Sequence, residues 1–299
     1  MKIPSLILLL FIAAILNSCN SKGQGAEEVI KAGIENPYLG QEPPGSTPER
    51  FAPGLVSTEH YEYGGTFSQD MKEFYLIKDG GTYEESTFVV IKYENEQWTE
   101  SIVSSRVGQP VISPDGKIMH LGRRYKELTD NGWSEIKYLD APFNEILIMR
   151  LSSSANGTYY FDTYDNNDPS FPIRYSRLVD GKREDPKELG ASINTGKNVN
   201  HPFIAPDESY LIWDAEREGG YGDSDIYISF RKQDGSWGEA INLGDKINTS
   251  AWEASASVTP DGKYLFFNRN VGSDDYEDVD IMWVDAQFIE ELRPEAATE

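Results

Sequence analysis

The chain is nearly without cysteine and histidine, and it is short of positive charge. Its one cysteine, Cys19, excludes an internal disulfide and any paired-cysteine metal site, so packing alone must hold the fold. The three histidines, His60, His120 and His201, are far apart in sequence, which argues against a multi-histidine metal centre. Lys and Arg number 27 against 50 Asp and Glu, giving a formal charge of -23. Such a surface repels nucleic acid and other polyanions. No Gly-x-Ser-x-Gly elbow, His-Glu-x-x-His helix or phosphate-binding glycine loop occurs. No catalytic residue is therefore singled out, and no cofactor is implied.

Long apolar runs are confined to the start. Met1-Lys2 gives a minimal positive region, Ile3 to Leu16 is almost wholly apolar, and Leu16-Asn17-Ser18-Cys19 follows. That order reads as a lipoprotein signal peptide over 1–18, too short for a confident membrane span, with Cys19 as the lipidated residue. Several acyl chains on one residue suffice for stable attachment, so the expected location is the cell envelope, with the membrane reached through the lipid. Residues 19–48 lack apolar periodicity and include Pro43-Pro44-Gly45, so they are expected to form a flexible tether. The remainder, 49–299, is expected to be one domain.

Within that remainder a turn signal recurs. Ser113-Pro114-Asp115-Gly116 and Thr259-Pro260-Asp261-Gly262 are the full copies; Ser68-Gln69-Asp70, Ser154-Ala155-Asn156-Gly157 and Ala205-Pro206-Asp207 are variants. The acidic or amide position falls at Asp70, Asp115, Asn156, Asp207 and Asp261, at intervals of 45, 41, 51 and 54 residues. Short β-like runs flank each copy. This is the pattern of an all-β propeller of four-stranded blades. Five repeats can be counted, with six as the alternative if an irregular blade escapes the pattern. The fifth repeat lacks a fourth strand and ends in a helical turn, Gln287 to Leu292. Phe51 to Leu55 is expected to supply the missing strand against Ile281 to Val284, closing the ring and covering its edge.

The Ser-Pro-Asp-Gly turn, the Asp225-Ile226-Tyr227 strand, the Asp234-Gly235-Ser236-Trp237 hairpin and the Asn248-Thr249 link resemble the WD-repeat-like propeller repeats of the periplasmic TolB protein. They resemble still more closely the exported lipoproteins of Bacteroidetes-type bacteria that carry such repeats. The resemblance spans about residues 50 to 290 and implies a propeller acting as a binding or scaffold module.

Repetition separates scaffold from site, because a single ligand cannot meet every blade in the same way. The five turn residues, and Trp98, Trp133 and Trp237, are therefore expected to be structural. The blade-linking loops collect on the opposite face with Tyr, Trp, Asn and Glu, and there Tyr63, His201, Trp252 and Glu253 are the candidate ligand-binding residues. The partner expected is a protein or a neutral glycan. The alternative is a glycoside hydrolase using carboxylates at the channel mouth. Whether the acidic loops bind a metal is left open by the sequence.

Overall fold

The strand Tyr210–Glu216 shows why these segments stack. Leu211, Trp213 and Ala215 join one buried cluster with Tyr160 and Ile173, while Ile212, pointing the other way, joins a second with Leu265 and Met282. Side chains alternate across a strand, so a strand apolar on both faces needs a sheet on each side. The computed structural model describes residues 37–164 and 172–295. The expected signal peptide, Cys19 and the first part of the expected tether, as far as residue 36, lie outside the described residues.

The protein is an all-β propeller fold, with antiparallel strands running in chain order from inner to outer. The first group is Tyr61–Phe67, Glu73–Gly80, Tyr83–Glu94 and Gln97–Ser105. Pro110–Ile112, Ile118–Leu121, Arg124–Thr129 and Lys137–Tyr138 make the second. Leu151–Ser153, Tyr159–Phe161, Arg174–Ser176 and Lys187–Glu188 make the third. The fourth is Lys197–Ile204, Tyr210–Glu216, Asp225–Phe230 and Ile241–Asn242. Glu253–Val258, Tyr264–Asn270 and Val279–Asp285 follow, and then the short helix Phe288–Glu291. A buried apolar cluster fills each junction between successive groups, and one more joins the fifth to the first.

At that last junction the N-terminal segment differs from expectation. The strand beside Val279–Asp285 is Glu49–Arg50, pairing Glu49 with Trp283 and Arg50 with Met282. Phe51 still donates its N–H to the Ile281 carbonyl at 2.8 Å, but the chain then turns, with Leu55 and Val56 both donating to Ala52. Pro53 has no N–H for a ladder, and Ala52 and Gly54 adopt φ of 42° and 82°. Residues 51–55 are therefore a turn rather than the predicted strand. The expected tether also ends sooner than residue 48: Tyr38 and Leu39 are buried, and the Tyr38 ring packs edge-on against Tyr264 at 4.8 Å. Two large apolar side chains leave water there, which tethers the chain to the domain.

The repeated turns share a small relay. The Ser113 hydroxyl donates to Asp115 at 2.6 Å and accepts the Ile118 N–H at 3.0 Å, while Lys117 N–H donates to the same carboxylate. Ser68 with Asp70, and Thr259 with Asp261, repeat it. Where Ala205 replaces the hydroxyl, Asp207 still accepts the Ser209 N–H at 3.0 Å. At the third turn Ser154 holds the Thr158 N–H, and no bond from the Asn156 side chain accompanies it among the described contacts. Burial alone would raise Asp115 and Asp261, but the neighbouring hydroxyl and N–H donors outweigh it and hold both carboxyls below the ordinary aspartate range. Asp115→Ala and Asp261→Ala are each expected to cost about 0.5–2 kcal/mol in chemical denaturation. A depressed carboxyl contributes stability above its unfolded pKa, and that stability goes as pH falls through the lower folded value. The wild-type advantage over these variants should accordingly shrink in acid below roughly pH 4; an advantage constant down to strong acid would contradict the relay.

Candidate functional site

Three inner strands break their ladder at the same place. Register shifts fall between Tyr63 and Thr66, between Asn200 and Phe203, and between Ala254 and Ser257. At each break one residue is left-handed: Gly64 at φ 68°, His201 at 52° and Ser255 at 55°. For a residue with a Cβ that conformation costs on the order of 1–3 kcal/mol and persists only when its surroundings impose it. Here the second strand of the preceding group, or the residue just after it, does so. Asp162 accepts the His201 N–H at 2.8 Å, Asp214 accepts the Ser255 N–H at 2.9 Å, and Asn268 accepts the Gly64 N–H at 3.1 Å.

The bulges turn side chains into the channel, where they form a polar septum. His201 Nδ1 lies 3.0 Å from both Asp214 oxygens, and its Nε2 lies 3.0 Å from the Tyr63 hydroxyl. A carboxylate only accepts, so Nδ1 carries the proton, and in the neutral ring Nε2 accepts from Tyr63. Gln109 donates to the Tyr63 oxygen at 3.1 Å, and Ser255 Oγ also bonds it. Arg150 donates its backbone N–H to Asp162 at 2.7 Å and its guanidinium to the Ser255 carbonyl at 2.9 Å. Burial, reinforced by the nearby negative groups, holds the Tyr63 hydroxyl neutral well past the ordinary tyrosine pKa. Asp162 is likewise raised by burial, against the pull of His201 and two N–H donors. Groups one to five each reach this septum.

Above it lies a cavity of about 430 Å³. His201 and Asp214 form part of its floor, and Trp252 and Tyr276 part of its wall. Trp252 stacks on Tyr63 at 6.0 Å and meets Tyr276 edge-on at 5.4 Å. Asn200 and Ser224 also line it, and among the described residues Asn200 Oδ1 and Ser224 Oγ are buried without a hydrogen-bond partner. Glu216 and Asp223 add carboxylates, with Glu216 paired to Lys197 at 2.7 Å.

The sequence-predicted site residues thus divide. Trp252 lines the cavity and His201 is in its floor, while Tyr63 lies beneath Trp252 as a septum member. Glu253 is elsewhere. It is fully buried, accepts the Thr249 N–H and hydroxyl at 2.9 and 2.6 Å, and pairs with Arg269 at 2.8 Å. Neighbouring strand positions point to opposite faces, so the residue after Trp252 enters the sheet junction. Glu62 repeats the arrangement with Thr58. The matching Thr58-x-x-x-Glu62 and Thr249-x-x-x-Glu253 spacings were a readable sign of scaffold. So were the dyads Phe161-Asp162, Trp213-Asp214 and Phe267-Asn268, which mark the three bulge supports. Nothing comparable pointed to Gln109, Arg150, Asn200 or Ser224. His120 is structural: it bonds Ser153 Oγ at 3.1 Å, and burial pushes its pKa down to about 3. Among the described residues no group of three or more His, Cys, Asp or Glu is arranged to hold a metal ion.

No protein-family model and no curated protein matches the sequence. Among solved structures, the chain is similar to a gluconolactonase from Xanthomonas campestris at 12% identity and TM-score 0.44, covering 81% of this chain and 93% of that one. It is similar to a thermostable family-43 glycoside hydrolase at 11% identity and TM-score 0.45, covering 76% and 91%. An auxiliary nutrient binding protein from Bacteroides thetaiotaomicron matches at 11% identity and TM-score 0.42, covering 74% of this chain but only 55% of that one.

Proposed function

We propose that this chain is a cell-envelope lipoprotein whose five-bladed propeller ring binds a neutral glycan, without catalysis, in the cavity beside Trp252. The observation that carries the reading is the pairing of an aromatic wall with unpartnered acceptors. Trp252 and Tyr276 offer an apolar surface to the C–H face of a sugar ring, and Asn200 Oδ1 and Ser224 Oγ can bond its hydroxyls. The formal charge of -23 favours a neutral glycan over an acidic one. Titration calorimetry against neutral oligosaccharides is the direct test. Trp252→Ala is expected to lose about 2 kcal/mol of binding, a factor of roughly 30. Undiminished affinity in that variant would remove the cavity from the reading, and binding of unstructured peptides alone would assign the site to a protein partner.

A hydrolase is the second reading, favoured by one fact: Asp214, Glu216 and Asp223 share the cavity. A glycosidase needs two free carboxyl groups, and Asp214 is already engaged by His201 and Ser255. Turnover of aryl glycosides that disappears in Glu216→Gln or Asp223→Asn would establish it.

Anchoring is proposed to run through Cys19. Cys19→Ala is expected to move the protein from the membrane fraction to the soluble fraction of the envelope or medium. Unchanged membrane association would exclude the lipid anchor.

A further inference from the structure

The channel opens a second time at the other end of the inner strands. Along Lys197–Ile204, Asn198 and His201 line the Trp252 cavity, whereas Phe203 and Ile204 line a separate cavity of about 320 Å³. Pro114, Pro206 and Pro260 of the repeated turns surround this mouth. Phe67, Phe74, Val258 and Phe266 make its wall apolar, with Ser152 and Ser257 among them.

Arg150 also lines this cavity, and it is only 3% exposed. Its guanidinium reaches the carbonyls of Ser255 and Ala256 at 2.9 and 3.3 Å, and its Nε has no partner among the described residues. Two other buried charged side chains do have contact partners: Glu253 has Arg269 at 2.8 Å, and Lys78 has Glu100 at 2.7 Å. Arg150 forms no ion pair among the described residues. Asp162 accepts its backbone N–H instead. A buried cation without a contact counter-ion is costly, and the cost falls when a ligand brings the opposite charge into the dry site.

We propose that this mouth is a second binding site, for a small monocarboxylate with an apolar body, recognised by Arg150 and the aromatic wall. An ammonium ligand would meet like charge. A multivalent anion would meet both the apolar wall and the negative field of the whole protein. The volume stands near the lower end of the usual 300–1,000 Å³ for ligand sites, roughly right for a short acyl chain or a single ring.

Octanoate, octanol and octylamine share one chain and differ in the head, so they separate charge from apolar burial. Calorimetry on the folded domain should show octanoate binding roughly tenfold or more tightly than octanol, in line with a charge-assisted hydrogen bond, and octylamine most weakly. Ser257→Phe, which narrows the mouth while keeping Arg150 itself, should abolish octanoate binding while leaving the melting temperature near wild type. Arg150→Met should remove the preference for octanoate over octanol. If Arg150→Met does not fold, the three heads on the wild type and the Ser257→Phe variant still decide. Equal affinity for octanoate and octanol overturns the carboxylate, undiminished binding in folded Ser257→Phe overturns the location, and no octanoate binding overturns the site.

Discussion

Phe51→Ala is expected to destabilise the protein by about 3–5 kcal/mol, the range for deleting a fully buried phenyl ring. Phe51 is wholly buried, and its ring meets Phe74 at 5.1 Å, Phe266 at 4.7 Å and Trp283 at 5.1 Å, so three strands from two groups lose a shared contact. In a domain of this size each kcal/mol corresponds to roughly 2–4 °C in melting temperature. The segment around it can be tested whole. A chain beginning at Thr58 should melt well below one beginning at Pro37, and it should aggregate through the bared edge of Val279–Asp285. The loss should also depend on pH. Arg50 lies 2.6 Å from the buried Asp280, whose pKa burial pushes up to about 6, aided by Asp278 and Glu62 and opposed by Arg50. A carboxyl raised in the folded state favours folding when protonated and costs stability as pH rises. Without Arg50 that cost grows, so the short chain's deficit should be larger at neutral pH than in mild acid. Equal melting of the two chains would show that residues 37–57 contribute nothing to the junction of the fifth and first groups.

Glu253→Ala should cost about 3–5 kcal/mol, because removing one member of a buried ion pair strands the other. Arg269 would lose its counter-ion, and the Thr249 N–H and hydroxyl would lose their acceptor. Glu253→Gln should cost less. Glycan affinity of either variant, measured below its melting temperature, should match wild type. Normal stability with lost glycan binding would return Glu253 to the ligand site.

The different places of Trp252 and Glu253 show where sequence reading stops. The two residues are adjacent where the fourth repeat passes into the fifth, and both are of types used in ligand sites. Only the strand's alternation after the link decides that Trp252 meets the cavity and Glu253 enters the junction. His201 and Tyr63 present the same difficulty, since either could bind a ligand when seen alone. They become septum members because bulges at Gly64, His201 and Ser255 bring together strands 138 and 192 residues apart in sequence.

By itself the sequence determined the all-β repeat architecture and the structural turn role of Asp115 and Asp261. Those features rest on local chemistry: a short carboxylate closing its own turn, and an apolar alternation of period two. Tertiary structure alone decided that Glu49–Arg50 rather than Phe51 to Leu55 carries the edge pairing. It alone gathered Gln109, Arg150, Asp162 and Asp214 around Tyr63 and His201, and it alone left Arg150 buried beneath an open mouth. These outcomes depend on contacts between residues tens to hundreds of positions apart. The registers that set them follow from how whole sheets pack, and no single segment encodes that packing.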